Sequence, residues 1–123
     1  MNWNQAQKAI TDALRPGTNV NTARSKYRSI KAMNKLINSK AYGYNGESGF
    51  EIWISDSSDV VKIPWSMLEY CFREAKKPEG YTGASFRFRY PRQAANKPCH
   101  IHVVGRMLEV SGVAQYDGKA YLA

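Results

Sequence analysis

The sequence contains no long hydrophobic run, and this absence argues against a membrane protein. No apolar stretch approaches the roughly 20 residues that a membrane-spanning helix needs. The first five residues also lack the basic and apolar parts of a secretory signal peptide. We therefore expect a cytoplasmic protein with no membrane partner.

Cysteine and histidine are both scarce, which limits metal and redox chemistry. The chain has two cysteines, Cys71 and Cys99, and two histidines, His100 and His102. Their spacing does not supply the three or four ligands that zinc prefers. A Gly-rich phosphate loop, a serine nucleophile elbow and a Cys-x-x-Cys motif are also missing. We predict no metal site, no cofactor and reduced thiols.

Acidic residues are few at both ends of the chain, and this gives the protein an uneven positive charge. The formal net charge of the 123 residues is +8. Residues 1–40 contribute +7, residues 41–82 contribute −3 and residues 83–123 contribute +4. Two basic ends around an acidic middle favour a polyanionic partner, most commonly DNA or RNA. The length and the 43% hydrophobic content are typical of one folded domain over residues 1–123.

Two helices are indicated by apolar residues at helical spacing. The first begins at a cap on Asn2 or Asn4 and ends at Pro16-Gly17. The second is an amphipathic helix over about 64–77, which Pro64 opens. Its predicted buried stripe is Trp65, Leu68, Cys71, Phe72 and Ala75.

Residues 23–38 can be interpreted in two ways, and we favour a helix. That helix would align four cations on one face and resemble the second helix of a helix-turn-helix. The alternative is a strand, because apolar and polar residues alternate from Ile30 to Leu36.

The remaining regular patterns predict hairpins. Residues 50–55 and 60–63 flank a predicted turn at Asp56–Asp59, and residues 113–116 and 119–122 flank a type I′ turn signal at Asp117-Gly118. Residues 84–90 and 99–104 alternate as two further strands, and Gly105 would interrupt the second. The fold class expected is α+β: one or two N-terminal helices, an antiparallel sheet of hairpins, and the amphipathic helix packed on that sheet.

The predicted hairpin of residues 84–104 is the best candidate for a working surface. Strand geometry would turn Phe86 and Phe88 inward and Arg87 and Arg89 outward. The same geometry would place His100 and His102 on one face, beside those arginines.

Our first hypothesis is a non-enzymatic nucleic-acid-binding module, such as a small regulator or an accessory protein of a mobile element. Its phosphate contacts would come from cations in both basic ends of the chain. The predicted binding residues are Arg24, Arg28, Lys31, Lys35, Arg87, Arg89, Arg92, Lys97 and Arg106.

Two other classes of function remain open. A metal-free ribonuclease of toxin type could use His100 and His102 as general base and general acid. A protein-interaction domain could instead bind an acidic partner, or form a homodimer through an exposed sheet edge.

Overall fold

A computed structural model describes residues 1–55 and 59–123 and confirms the α+β class. Over these residues the chain forms a three-stranded antiparallel sheet, a short two-stranded sheet and five helices. The elements in chain order are α1 (Trp3–Ala13), β1 (Ser29–Ser39), β2 (Tyr44–Trp53), β3 (Val60–Pro64), α2 (Trp65–Ala75), α3 (Gly83–Arg89), α4 (Pro91–Asn96), α5 (His100–Val110), β4 (Gln115–Tyr116) and β5 (Tyr121–Leu122).

Helix α1 forms where its capping residues predict it. The Asn2 side chain accepts a hydrogen bond from the Gln5 backbone N–H at 2.8 Å, and the Gln5 side chain accepts one from the Asn2 N–H at 2.9 Å. This reciprocal pair satisfies two backbone donors that the first turn of a helix leaves free. Ala6 and Ile10 point into the core, as the helical spacing predicts.

Helix α2 is also confirmed, with Pro64 as its N-cap. Cys71 and Phe72 are buried on the predicted stripe, and Cys71 is a free thiol. Burial raises the pKa of Cys71 strongly, so this thiol stays protonated and packs as a small apolar group. Arg73 pairs with Glu69 on the exposed side, as expected for residues four apart.

The three-stranded sheet has the order β1-β2-β3 and contains the predicted hairpin of residues 50–63. Phe50 pairs with Ile63, and Ile52 pairs with Val61, so these apolar side chains enter the core together. Of the turn predicted between these strands, Asp56 to Ser58 lie outside the described residues.

The helix predicted over residues 23–38 is wrong, because residues 29–39 form strand β1. Ile30 is opposite Ile52 of β2, and both Ile30 and Ile37 are buried. The pairing register shifts between Ala32 and Lys35, where Asn34 has a left-handed φ of 57°. The partner strand β2 determines this conformation, and a local pattern does not encode a partner.

The hairpin predicted over residues 84–104 is also wrong, because these residues form α3, α4 and α5. Thr82 caps α3 through a reciprocal pair of bonds with Ser85, and Pro91 occupies the first turn of α4. Residues two apart on a helix point in different directions. Phe86 is therefore buried, whereas Phe88 is 86% exposed. Gly105 lies inside α5 and interrupts no strand.

The C-terminal hairpin is confirmed, but its turn differs from the prediction. Tyr116 pairs with Tyr121, so residues 117–120 connect the strands, instead of a two-residue type I′ turn. The Asp117 carboxylate accepts hydrogen bonds at 2.8 Å from the backbone N–H groups of Lys119 and Ala120. Tyr81 and Tyr121 also exchange two backbone hydrogen bonds of 2.9 Å. The hairpin is thereby fixed to the segment between α2 and α3.

A candidate anion site: the arginine cavity

A cavity of about 760 Å³ lies where three distant parts of the chain meet. Its size is within the range of small-ligand sites in proteins. We call it the arginine cavity, because three arginines line it. The lining residues are Asn21, Thr22, Ala23, Arg24, Ser25, Arg28, Cys99, His102, Arg106, Glu109, Tyr116 and Tyr121.

The first wall is the loop between α1 and β1, which Asn21 holds in shape. The Asn21 side chain accepts a hydrogen bond from the Arg28 N–H at 2.7 Å and donates one to the Lys26 carbonyl at 3.0 Å. The Val20 N–H donates to the Arg28 carbonyl at 3.0 Å. These bonds close the loop, and the residues between them include the exposed Arg24 and the buried Arg28.

The second wall is the outer side of α5, and Arg106 joins it to the loop. Its Nε donates to the Asn21 carbonyl at 2.8 Å, and its Nη1 donates to Glu109 Oε1 at 2.9 Å. Arg106 and Glu109 therefore neutralise each other at this side of the arginine cavity. The loop and the helix are 85 residues apart in sequence at this contact.

The third wall is formed by tyrosines of the C-terminal hairpin. Tyr116 stacks on Tyr121 with ring centroids 4.5 Å apart and an interplanar angle of 29°. Tyr121 stacks in turn on Tyr81, at 5.6 Å and 30°. Tyr121 is buried, whereas Tyr116 is 40% exposed at the outer end of this stack.

Arg28 is the most unusual residue of the arginine cavity. Only 9% of its surface is exposed, and its Nε and Nη1 atoms have no hydrogen-bond partner among the described residues. A buried charge without partners is costly, since it has lost water and gained nothing in return. Cations at this depth normally face a carboxylate or another anion.

The Arg28 charge affects the pKa values of two groups that line the arginine cavity. Burial raises the pKa of the Cys99 thiol, and Arg28 is the largest influence in the opposite direction. Burial lowers the pKa of His102, and the charges of Arg28 and then Arg24 lower it further. Both Cys99 and His102 line the arginine cavity, so the Arg28 charge acts on groups of this space, although Arg28 also lines a second cavity of about 530 Å³.

His102 is oriented by Tyr121. Its Nδ1 lies 2.8 Å from the Tyr121 hydroxyl oxygen. Because its pKa is lowered from 6.5, His102 is neutral at pH 7. Burial raises the pKa of Tyr121, so this hydroxyl keeps its proton and can donate it to Nδ1. In that arrangement Nε2 carries the single N–H proton of the neutral ring and is a donor.

The structure brings together four of the residues singled out in the sequence: Arg24, Arg28, His102 and Arg106. It adds Cys99, Glu109 and the two tyrosines of the stack. The sequence predicts Tyr116 and Tyr121 as strand residues of the C-terminal hairpin and does not indicate that they belong to a binding site. No local pattern could have placed them beside α5, because the bridge to Tyr81 positions them.

His100 belongs to a different place. It is 1% exposed and lines a smaller cavity of about 220 Å³, together with Tyr42, Tyr44 and Lys97. Its Nδ1 donates to the Lys97 carbonyl at 2.8 Å, whereas Nε2 has no partner among the described residues. The structure therefore does not bring His100 and His102 into one site, because they leave α5 in different directions.

The other predicted binding residues are distributed over several elements. Lys31 and Lys35 lie on β1, and Lys31 is 3.9 Å from Glu51. The Lys97 ammonium is 2.8 Å from Asp59. Six of the predicted binding residues lie away from the arginine cavity: Lys31, Lys35, Arg87, Arg89, Arg92 and Lys97.

Over residues 1–55 and 59–123, no three or more His, Cys, Asp and Glu side chains cluster as metal ligands. In the same residues, no helix has the length and apolar character needed to cross a membrane. Comparison with protein-family models, curated proteins and solved structures finds no significant match, so function has to be inferred from the arginine cavity itself.

Proposed function

We propose that this protein is a nucleic-acid-binding module that holds phosphate in the arginine cavity. The observation that carries the proposal is Arg28, a buried residue with two guanidinium nitrogens that have no partner in residues 1–55 and 59–123. A guanidinium forms short, paired hydrogen bonds with phosphate oxygens, so a phosphate in the arginine cavity would supply the buried charge with an anionic partner.

The surroundings of Arg28 support the same ligand chemistry. Arg24 adds a second positive charge at the exposed rim, and His102 adds a neutral ring with a donor nitrogen. Tyr116 presents an aromatic surface, on which an unpaired base can stack. Phosphate donors beside an aromatic surface are the combination that single-stranded nucleic acids require.

The geometry of this site favours a single-stranded ligand over a duplex that is read through its major groove. A helix that reads the major groove must present its outer side chains to base edges. The outer side of α5 instead faces the loop of residues 21–28, and Arg106 is bonded to that loop. An unpaired strand is flexible, and a phosphate with its base is small enough for a cavity of about 760 Å³.

The experiment is a titration of labelled single-stranded DNA and RNA with wild-type protein and with two matched variants. Arg28→Met removes the buried charge, whereas Arg87→Met removes one exposed charge from α3 outside the arginine cavity. We expect Arg28→Met to weaken binding by at least about tenfold, and Arg87→Met to change it little. Equal effects of the two variants would refute a specific role for the arginine cavity.

Salt dependence provides a second readout of the same contact. Each phosphate contact adds about 0.7 to the slope of log affinity against log salt for single strands. Arg28→Met should therefore lower this slope by about one contact. Binding that does not weaken as salt increases would contradict the proposal.

The position of His102 supports a second candidate function, the metal-free cleavage of RNA. In its other tautomer, with Nδ1–H donating to the Tyr121 hydroxyl oxygen, the neutral imidazole has a free Nε2 that could take the proton of a ribose 2′-hydroxyl. The 2′-oxygen would attack phosphorus, the bond from phosphorus to the 5′-oxygen would break, and that oxygen would take a proton from the imidazolium. The product ends would be a 2′,3′-cyclic phosphate and a 5′-hydroxyl.

This second candidate is tested by incubating RNA with wild type and with His102→Ala in the presence of EDTA. Cleavage that depends on His102 and yields a cyclic phosphate supports it. No cleavage, or equal cleavage by both proteins, excludes it. His100→Ala is the control, since His100 lies away from the arginine cavity.

A further inference from the structure

We propose that the arginine cavity selects a phosphomonoester, the terminal phosphate of a nucleic-acid strand or of a free nucleotide, over the internal phosphodiesters of a strand. This inference rests on the proposed function, and it adds which phosphate is recognised. Three observations carry it: the charge of the lining residues, the depth of Arg28 and the position of the tyrosine stack.

The charge matches a dianion. The lining residues include three arginines and one glutamate, so with His102 neutral they carry a net +2. Arg106 is paired with Glu109, whereas Arg24 and Arg28 have no carboxylate partner among the described residues. A phosphomonoester carries a charge of about −1.5 to −2 at pH 7, and a phosphodiester carries only one negative charge. The monoester therefore neutralises both unpaired arginines.

The depth of Arg28 favours a group at the end of a molecule. Only 9% of the surface of residue Arg28 is exposed, so a ligand has to enter the arginine cavity to reach its guanidinium. An internal phosphate has a sugar on both sides, and both would have to enter with it. A terminal phosphate has a sugar on one side only, and it presents three free oxygens to the Arg28 guanidinium, whereas an internal phosphate presents two.

The tyrosine stack gives the rest of the nucleotide a place to bind. Tyr116 covers Tyr121 at 4.5 Å, and its own ring is 40% exposed beside the arginine cavity. When the phosphate is bound in the arginine cavity, the sugar and base of the same nucleotide extend out of it, and the base can continue this stack. Since stacking accepts every base, we expect recognition of the phosphorylated end without strong sequence preference.

The test compares short single strands that are identical except at their ends. One set carries a 5′-phosphate, one a 3′-phosphate and one hydroxyls at both ends, each with its label in the middle of the strand. We expect at least one phosphorylated set to bind wild type at least about tenfold more tightly than the hydroxyl set. Arg28→Lys should reduce that preference, because an ammonium cannot form the paired bonds of a guanidinium.

Competition with nucleoside monophosphates, nucleosides and inorganic phosphate then distinguishes the two sources of the ligand. A monophosphate that displaces the strand at an equal concentration supports the inference with a free nucleotide as ligand. Weak displacement supports it with a strand end as ligand. Equal binding of all three strand sets overturns the inference, while Arg28-dependent binding of those strands would leave the proposed function intact. Loss of the Arg28 dependence would refute both.

Discussion

Tyr121 packs its ring directly against the backbone of Gly105. A methyl group at position 105 would overlap the ring atoms of Tyr121, so the close approach of α5 and the C-terminal hairpin requires glycine. The same tyrosine is bonded to His102 at 2.8 Å. Through these two contacts Tyr121 sets both the spacing of two walls of the arginine cavity and the orientation of the imidazole.

Gly105→Ala should consequently lower both stability and ligand affinity. Alanine normally stabilises a helix relative to glycine by about 1 kcal/mol. Here overpacking against Tyr121 should outweigh that gain and lower the free energy of unfolding by about 1–3 kcal/mol. Urea unfolding and strand binding measure the two effects.

The matched control is Gly83→Ala at the start of α3. There a methyl group would meet only the end of the Arg87 side chain, at 2.9 Å, and this flexible end can move. We expect wild-type affinity and a small change in stability. A Gly105→Ala protein as stable and as active as this control would contradict the role of the Gly105–Tyr121 contact.

Arg28→Met should make the protein more stable while it weakens anion binding. An unsatisfied buried polar group costs about 1–3 kcal/mol, and more when it is charged. Methionine occupies similar space without charge, so the free energy of unfolding should rise by at least about 1 kcal/mol. If Arg28 were a structural residue instead, the same substitution would destabilise the protein. The exposed Arg24→Met should change stability by less than about 0.5 kcal/mol.

Helices α1 and α2 were predictable because their signals are local. The Asn2 and Gln5 side chains form their capping pair within one turn, and Pro64 directly precedes the apolar stripe of α2. Strand β1 was not predictable with the same certainty, because its conformation depends on pairing with β2. The alternation of residues 30–36 correctly indicated a strand, whereas the spacing of the four cations from Arg24 to Lys35 pointed to a helix.

The strand predicted over residues 84–90 is wrong for a different reason. Alternating Phe and Arg residues are typical of a half-buried strand. The structure leaves Phe88 exposed and Phe86 buried, so the alternation does not reflect a buried face. The deciding signals were Thr82 with Ser85 at the start of α3 and Pro91 after it, and both are helix signals. For the arginine cavity, charge alone identified Arg24, Arg28 and Arg106, but only the fold shows that they meet.

Stability should fall in mild acid because of His100. Its pKa is lowered from 6.5, chiefly by burial, while the unfolded chain titrates near 6.5. Below that pH the unfolded state binds more protons than the folded state. The contribution of His100 is thus complete above pH 6.5 and is lost as the pH falls through the lowered pKa. His102 has a lowered pKa as well and acts in the same direction.

Unfolding free energies of wild type and His100→Gln across this pH range measure the effect. The variant should lose less stability than wild type on acidification, because its side chain does not titrate. An NMR titration of the wild-type imidazoles checks the same point without a variant. A His100 that titrates at or above pH 6.5 would contradict the prediction.

Cys99 should report ligand binding directly. It lines the arginine cavity and is half-buried, and burial raises its pKa, so it should react slowly with a thiol reagent. A phosphorylated ligand should slow that reaction further. Cys71 is fully buried and should react only on unfolding, which makes it the internal control. Unchanged reactivity of Cys99 at saturating ligand would place the ligand elsewhere.

The arginine cavity takes its walls from residues 21–28, from residues 99–109 and from Tyr116 and Tyr121. Stretches this far apart along the chain meet only when nearly the whole polypeptide has folded. A peptide covering any one wall should therefore have no affinity of its own, and occupancy should protect the entire molecule against heat and proteases, not one region of it. The arginine cavity and the fold should therefore be lost together, so that a partly unfolded chain has no site left to bind with.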